Sequence, residues 1–171
     1  MWPRGLIRDR FMWLRDDIFQ TVIASTPLFS IDLIVRDAEG RILLGKRTNR
    51  PAKDFWFVPG GRVLKNEKLD AAFERLTSSE LGVVLPRRHA RLLNLYQHFY
   101  KDCVFGEKPD THYVVAGYVL ELNDASALRL PETQHSEFTW WTPQEMLHAP
   151  KVHQNTRDYL ADLVPLPSQG L

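Results

Sequence analysis

Cysteine is almost missing from this chain of 171 residues, in which Cys103 is the single example. One cysteine excludes an internal disulfide and fits a reducing compartment, so we expect a cytoplasmic protein. Long apolar runs are missing as well, because arginine or aspartate interrupts residues 1–17 every few positions. We therefore expect no signal peptide, no membrane-spanning segment and no membrane partner.

An excess of charge of either sign is also missing, since 22 basic residues stand against 21 acidic residues. A nearly neutral chain has no general attraction for nucleic acid or for an acidic lipid surface, so we expect no nucleic-acid partner. Any binding of phosphate must then come from local positive charge. The length favours a single domain over residues 1–171, with two or three packed layers around one core.

Alternating and helical apolar patterns predict both strands and helices. Strands are predicted at residues 30–47, which form a hairpin, and at 55–58, 91–100, 111–122 and 137–142. Helices are predicted at residues 11–24, at 67–81 with Asn66 as N-cap, from Pro143 after a capping box of Thr142 and Glu145, and at 152–163. Because the two kinds of element do not alternate strictly, we expect an α/β fold (α+β in some schemes) with a mixed β-sheet sandwiched between helices.

Residues 60–83, "GGRVLKNEKLDAAFERLTSSELGV", carry the spacing of a phosphate-handling element. Five residues separate Gly61 from Glu67, seven more precede Arg75, and Glu80 follows five positions later, just before Gly82. This pattern resembles the Nudix box, in which a glycine turn precedes a helix whose acidic residues hold divalent cations against a diphosphate. We expect Arg75 to brace Glu67 or the loop. The same acidic and basic residues would also suit a solvent-facing helix.

Two positions of this helix depart from the general Nudix box, since Leu76 and Ser79 stand where the box has glutamates. Positions 76, 79 and 80 project to one side of a helix, so Glu80 is the one carboxylate left on that side. The wider chain resembles a branch of the family that departs at the same two positions, the GDP-mannose mannosyl hydrolases. The shared text includes "MWLRDDIF", "STPLFSIDLIV", "FWFVPGGRV", "QHFY" and "THYVV" and covers residues 12–159, which leaves residues 1–11 as an extension outside it.

The resemblance implies a Nudix fold and Mg²⁺-dependent hydrolysis of GDP-mannose, with GDP-glucose as a further candidate, to GDP and the free sugar. One Mg²⁺ per subunit is implied, with Mn²⁺ as an alternative, in a homodimer. The chemistry of the residues agrees with this reading, because one carboxylate cannot hold the cation cluster that drives water onto phosphorus. A single cation can still make GDP a better leaving group from sugar carbon C1, where attack by water inverts the configuration.

The resemblance assigns metal-binding and proton-transfer roles to four positions. The implied metal ligands are the carbonyl of Gly60, the carboxylate of Glu80 and the amide oxygen of Gln134. His135 is the implied general base, and an imidazole with an ordinary pKa near neutrality can accept a proton from water at cellular pH. His98, in "QHFY", is the second candidate for the base.

The resemblance assigns substrate contacts to further positions. Arg47 and Arg62 match residues that bind the diphosphate, and a permanent charge suits a departing GDP. Asp32 matches an active-site carboxylate that stabilises positive charge at C1 or grips sugar hydroxyls. An acid within an apolar strand is costly unless it is paired or functional. Tyr113 matches a phosphate-contacting tyrosine, although a strand aromatic serves packing equally well.

Three residues near the start of the chain match positions of the family's nucleotide pocket: Trp13, Leu14 and Phe19. An apolar helix face that meets the core or a second subunit explains them equally well. Two other functions also stay open. One is an ordinary Nudix pyrophosphatase that cleaves between the phosphates and gives GMP and a sugar 1-phosphate. The other is a protein that binds a nucleotide sugar without turning it over.

Overall fold

The computed structural model describes residues 14–131 and 135–163, and within these ranges seven strands form one mixed sheet. The strands are β1 (Leu28–Arg36), β2 (Ile42–Arg47), β3 (Trp56–Phe57), β4 (Gly60–Arg62), β5 (Arg91–Tyr100), β6 (Thr111–Glu121) and β7 (His135–Trp141). The helices are α1 (Asp16–Ser25), α2 (Leu69–Leu81), α3 (Pro143–His148) and α4 (Gln154–Leu163). Every helix in these ranges is too short or too polar to cross a lipid bilayer.

The order of strands in the sheet is β3, β2, β1, β6, β5, with β4 added beside β1 and β7 beside β2. β1 runs parallel to β6, from Leu28 opposite Tyr113 to Arg36 opposite Glu121. It runs antiparallel to β4, with Asp32 opposite Gly60. β1 and β2 form the predicted antiparallel hairpin, but their register is limited to Arg36 opposite Ile42. The prediction of a mixed sheet between helices is confirmed.

Alternate residues of β1 pack on opposite faces of the sheet, because side chains of a strand alternate in direction. Ile31, Leu33 and Val35 belong to the buried cluster that contains Phe73 and Leu76 of α2. Ile34 belongs to a second buried cluster, which contains Met146 of α3 and both Tyr159 and Leu160 of α4. Asp32 shares the parity of Ile34 and therefore faces α4. This places an acid of the central strand on the face opposite α2.

The ends of α2 correct one prediction and explain where the helix stops. Asn66 is not the N-cap, since the residue in that position is Lys68 and Asn66 has a left-handed φ of 66° in the preceding turn. At the other end Gly82 adopts a left-handed φ of 68°, and its N–H bonds to the carbonyls of Thr77 and Ser78. Glycine favours this conformation because it has no Cβ.

The other three helices occur where the sequence predicts them, with some shift in where they begin. The capping box of Thr142 and Glu145 is confirmed at the start of α3, because each side chain bonds to the backbone N–H of the other residue. α4 begins two residues later than predicted, at Gln154. α1 begins at Asp16, whereas the prediction began at residue 11, in a part of the chain outside the described residues.

Candidate active site

The centre of the site is the place where Asp32 of β1 lies opposite Gly60 of β4. A Cβ added at Gly60 would lie 2.7 Å from Oδ1 of Asp32 and 2.5 Å from the carbonyl oxygen of Ile31. Real side chains do not approach backbone atoms this closely, so the position requires glycine. The absence of a side chain brings the backbone of Gly60 next to the carboxylate of Asp32.

The carboxylate of Asp32 is held from the side of α4. The hydroxyl of Tyr159 donates a hydrogen bond of 2.6 Å to Oδ2 of Asp32. Burial raises the pKa of Asp32 to about 6, while the bond from Tyr159 and the charge of Arg47 act to lower it. A carboxyl with this pKa is mostly ionised at neutral pH and is poised close to its titration range.

His98, the second candidate for the general base, lies behind this pair. Its side chain is only 4% exposed, and its Nε2 is 3.4 Å from the hydroxyl oxygen of Tyr159. Burial, with a smaller effect of the neighbouring His153, lowers the pKa of His98 to about 4. His98 is therefore neutral at physiological pH and contacts Tyr159 instead of bulk water, which makes it a poor base for a substrate water.

The three positions of the α2 face differ in their surroundings. Glu80 is 2% exposed, and burial raises its pKa to about 7 against the charge of Arg47. Leu76 packs under the glycine turn, because a Cβ at Gly61 would lie 2.6 Å from Cδ2 of Leu76. The hydroxyl of Ser79 donates to the carbonyl of Leu76 at 3.2 Å. Leu76 is thus part of the buried core that supports the glycine turn.

The glycine turn is fastened to α2 by an ion pair. Arg75 donates from Nε and Nη2 to the two carboxylate oxygens of Glu67 at 2.6 and 2.8 Å, and Nη2 also donates to the carbonyl of Arg62 at 2.8 Å. The N–H of Leu64 donates to Glu67 at 2.9 Å. The expectation that Arg75 braces Glu67 is confirmed. This pair fixes the segment that carries Gly60 and Arg62.

Two arginines bring positive charge to the site from neighbouring strands. The guanidinium of Arg47, at the end of β2, lies 5.4 Å from the centre of the Phe57 ring, and that of Arg62 lies 3.9 Å above the ring of Phe19. Burial lowers the pKa of Arg62, while Tyr113 acts to raise it. Burial raises the pKa of Tyr113, and the charges of Arg62 and Arg47 oppose this shift. The structure therefore groups Arg47, Arg62 and Tyr113 close to Asp32.

Of the remaining predicted site residues, some lie near the site and others do not or fall outside the described residues. Trp13 and Gln134 lie outside the described residues. The backbone of His135 begins β7 and pairs in register with Arg47 of β2, so this part of the chain lies beside the arginine. Phe19 reaches the site under Arg62, whereas Leu14 precedes α1 and is 51% exposed.

Sequence reasoning missed an aromatic cluster that extends from Tyr100, beside Asp32, to His153. Burial raises the pKa of Tyr100, and the charge of Asp32 adds to this shift. The ring of His153 stacks on Phe57 with centroids 4.6 Å apart. Tyr100 and His153 also line an open cleft of about 540 Å³ beside the loop of residues 50–55. The sequence carries no signal for this cluster beyond aromatic residues in a strand and near a helix, because its members come from distant segments.

The site has few oxygen ligands of its own, with the carboxylate of Glu80 as the main one. Such a site suits a cation that takes most of its ligands from substrate and water. Within residues 14–131 and 135–163, no three or more His, Cys, Asp or Glu side chains form a group that could hold a metal ion. Glu80 nevertheless lies one turn after Leu76, which contacts Gly61, and it feels the charges of Arg47 and Asp32. Mg²⁺ binds through one or two carboxylates and keeps several waters or phosphate oxygens, so this donor set fits it.

Comparison with known proteins gives a consistent picture of the family. The sequence pattern of the NUDIX domain matches residues 26–163. The chain is 39% identical over 134 residues to the low-salt glycan biosynthesis protein Agl8 of Haloferax volcanii, a match that covers 78% of this chain and 83% of that protein.

Solved structures show the same fold. A MutT NUDIX hydrolase from Burkholderia pseudomallei has a TM-score of 0.65 and 27% identity, and the match covers 82% of this chain and 100% of that one. The NUDIX domain of Shewanella oneidensis NrtR, complexed with ADP ribose, has a TM-score of 0.62 and 18% identity, with 88% and 97% covered. At this lower identity the second likeness shows the fold alone.

Proposed function

This chain belongs to the NUDIX family of hydrolases, and from that premise we propose that it hydrolyses GDP-mannose, with GDP-glucose as a further candidate, to GDP and the free sugar. The observation that carries the proposal is the packing of Leu76. Leu76 is 3% exposed and lies against Gly61, so this position of α2 serves the core. With Ser79 at the second position, Glu80 is the one carboxylate that α2 has at the three box positions. A helix with one such carboxylate does not suit a cluster of cations that drives water onto phosphorus.

Nudix hydrolases generally use a divalent metal, and the residues proposed to hold Mg²⁺ here are Gly60 through its carbonyl, Glu80 and Gln134. When bound, the cation supplies positive charge that stabilises the diphosphate of GDP as a leaving group. Mn²⁺ is the alternative ion, because it accepts the same oxygen donors.

The chain's own residues have separate tasks in the proposed reaction. Arg47 and Arg62 bind the diphosphate and stabilise the charge that grows on it as the bond from C1 to the phosphate oxygen breaks. Asp32 stabilises the positive charge at C1 in an oxocarbenium-like transition state. His135 accepts the proton of the attacking water, whose oxygen forms the new bond to C1. The electron pair of the broken bond leaves with GDP, and C1 is inverted, so α-linked mannose gives β-mannose.

The name of the Haloferax relative supports a sugar-containing substrate, since that protein is described by glycan biosynthesis. We further propose that the substrate's nucleotide contacts Phe19 with Trp13 and Leu14, and that the enzyme works as a homodimer.

The decisive experiment locates the atom that water attacks. GDP-mannose and Mg²⁺ are incubated with the protein in ¹⁸O-water, and the products are separated and weighed by mass spectrometry. We expect GDP without label and mannose with one ¹⁸O, and NMR during the first turnovers should show the β-anomer. Label in GMP or in mannose 1-phosphate contradicts attack at carbon.

A Nudix pyrophosphatase is the second candidate, because the family as a whole favours cleavage between phosphates. It predicts GMP and mannose 1-phosphate in the same experiment. A protein that binds GDP-mannose in a calorimeter but releases no product with Mg²⁺ would be a nucleotide-sugar binding protein instead. The three readings therefore give three different outcomes.

A further inference from the structure

The two carboxylate oxygens of Asp32 face different elements of the fold. Oδ2 accepts the 2.6 Å hydrogen bond from the hydroxyl of Tyr159, which reaches it from α4. Oδ1 is the oxygen that points toward Gly60, because it lies 2.7 Å from the place where a Cβ of that glycine would be. One oxygen is thus engaged by the protein interior, and the other faces the glycine turn of the site.

The direction of the hydrogen bonds behind Asp32 follows from the number of protons available. Tyr159 has one hydroxyl proton, and the short contact to a carboxylate oxygen is where that proton is most stabilised. Its oxygen can then only accept from Nε2 of His98, which lies 3.4 Å away. A hydrogen bond at this contact requires the proton of His98 on Nε2, and the chain then runs from His98 through Tyr159 to Asp32. Successive bonds in one direction polarise each other and strengthen the last one.

The ring of Tyr159 is fixed by its packing. Its side chain is 1% exposed, and it meets the ring of Tyr96 edge to face with centroids 4.6 Å apart. A Cβ at Gly117 would lie 2.9 Å from Tyr96 and 3.5 Å from Tyr159, so a glycine in β6 makes room for both rings. The hydroxyl of Tyr159 consequently has a defined position relative to Asp32.

From this geometry we propose that Tyr159 is a positioning residue, which holds Oδ2 of Asp32 so that Oδ1 is presented to the substrate, with His98 setting the direction of the hydrogen-bond chain. The inference rests on the proposed function in one respect, namely that Asp32 stabilises charge at the sugar. A small misplacement of a catalytic group can cost on the order of 100-fold in rate, which is the effect that such a residue prevents.

The first test is the variant Tyr159→Phe, which removes the hydroxyl and keeps the ring. We expect kcat to fall by about 10-fold to 100-fold with little change in KM, because the nucleotide is bound elsewhere. The matched control is Tyr96→Phe, since the hydroxyl of Tyr96 bonds to Asp162 at 2.6 Å and not to Asp32. A loss of kcat in the control as large as in Tyr159→Phe, or an unchanged kcat in Tyr159→Phe, overturns the proposal.

The second test is a double-mutant cycle with Asp32→Asn. If Tyr159 acts through Asp32, the double variant is no slower than Asp32→Asn alone, whereas independent effects would multiply. Multiplication of the two rate losses overturns the proposal. Thermal unfolding of all four proteins separates these changes in rate from a loss of folded protein.

The third test needs no substrate and therefore separates this proposal from the proposed function. The ¹⁵N chemical shifts of His98 in the labelled protein should show a neutral ring with its proton on Nε2. A proton on Nδ1 overturns the chain. If the product assay yields GMP instead of GDP, the proposed function fails, and the rate tests on Tyr159 are then made on the reaction that the enzyme does catalyse.

Discussion

At the scale of single residues, the departure from the general Nudix box is a change of packing as much as a loss of charge. Leu76 belongs to the core cluster that α2 forms with β1, and it supports the glycine turn through Gly61. Glu80 remains in a buried position, and burial raises its pKa to about 7. A divalent cation favours a carboxylate ligand in its charged form, so Glu80 is the residue whose charge the proposed metal site depends on.

We predict that Glu80→Gln weakens the dependence of activity on Mg²⁺. The amide keeps the shape of the side chain but removes its negative charge, so the Mg²⁺ concentration for half-maximal activity should rise by about 10-fold or more. The matched control is Glu74→Gln, which changes an exposed acid of the same helix. Identical Mg²⁺ titration curves for Glu80→Gln and the parent protein would remove Glu80 from the ligand set.

We also predict a stability change with a defined pH dependence for Glu67→Gln. The bond from Arg75 lowers the pKa of Glu67 in the folded protein, against a smaller opposing effect of burial. A carboxyl with a lowered pKa contributes stability above its ordinary pKa and loses it as pH falls through the folded value. At pH 7 the variant should therefore unfold more easily by about 2 kcal/mol.

The difference between Glu67→Gln and the parent protein should shrink as the pH falls below the ordinary glutamate pKa of about 4.3 toward the lowered value of the folded protein, because the parent's carboxyl then becomes protonated as well. Urea unfolding at the two pH values measures both free energies. The control variant Glu74→Gln, which changes an exposed residue of α2, should have nearly the same free energy of unfolding as the parent protein at either pH. A difference for Glu67→Gln that grows toward acid pH would contradict the sign given by the lowered pKa.

For single residues, the sequence predicts the contacts that follow from local spacing along the chain. The alternation of β1 predicts that Asp32 shares a face with Ile34, and the spacing of the box predicts that Arg75 reaches Glu67. The contact between Tyr159 and Asp32 joins residues 127 positions apart, and no local pattern encodes it. It exists because β1 is central and α4 covers the face that Asp32 happens to occupy.

At the scale of elements, the sequence predicts the strands and helices well and their ends less well. The prediction of Asn66 as N-cap was wrong because asparagine is common both at N-caps and in left-handed turns. The sequence pattern alone does not separate these two roles. The short antiparallel register of β1 with β2 was also not predictable. It results from β4 entering beside β1, which depends on pairing between distant segments.

The C-terminal end of α2 gives a prediction that belongs to the element. A Cβ at Gly82 would lie 2.1 Å from the carbonyl oxygen of Arg129, and the residue has a left-handed φ of 68°. Gly82→Ala should therefore lower the free energy of unfolding by at least about 1 to 2 kcal/mol from backbone strain, with the steric contact added. Differential scanning calorimetry should show a Tm lower by several degrees, since ~1 kcal/mol corresponds to ~2–4 °C for a domain of this size.

The variant Gly82→Asn separates the two causes. Asparagine tolerates the left-handed conformation, so it removes most of the backbone strain and keeps the contact with Arg129. We expect it to be destabilised as well. If Gly82→Asn is as stable as the parent protein, the close approach of α2 to Arg129 does not matter, and backbone strain alone explains the alanine variant.

At the scale of the whole molecule, one face of the edge strand β5 is apolar and open. Leu92, Leu95 and Phe99 are 48%, 58% and 65% exposed. Their partners in β6 are Tyr118, Ala116 and His112, which share one parity, so the three apolar side chains lie on the same face of the sheet. Exposed apolar patches on an edge strand mark interaction sites or aggregation hazards.

We predict that a second copy of this chain covers that face in the proposed homodimer. Light scattering after size exclusion should give a mass near twice the 19.9 kDa of one chain. Leu95→Lys should shift the mass to that of a monomer, because the new charge would lose its water in the interface. Leu147→Lys is the matched control, since Leu147 is 54% exposed on α3, away from β5. A parent protein that is monomeric at assay concentrations, or a Leu95→Lys variant that stays dimeric, would show that β5 is not where the two copies meet.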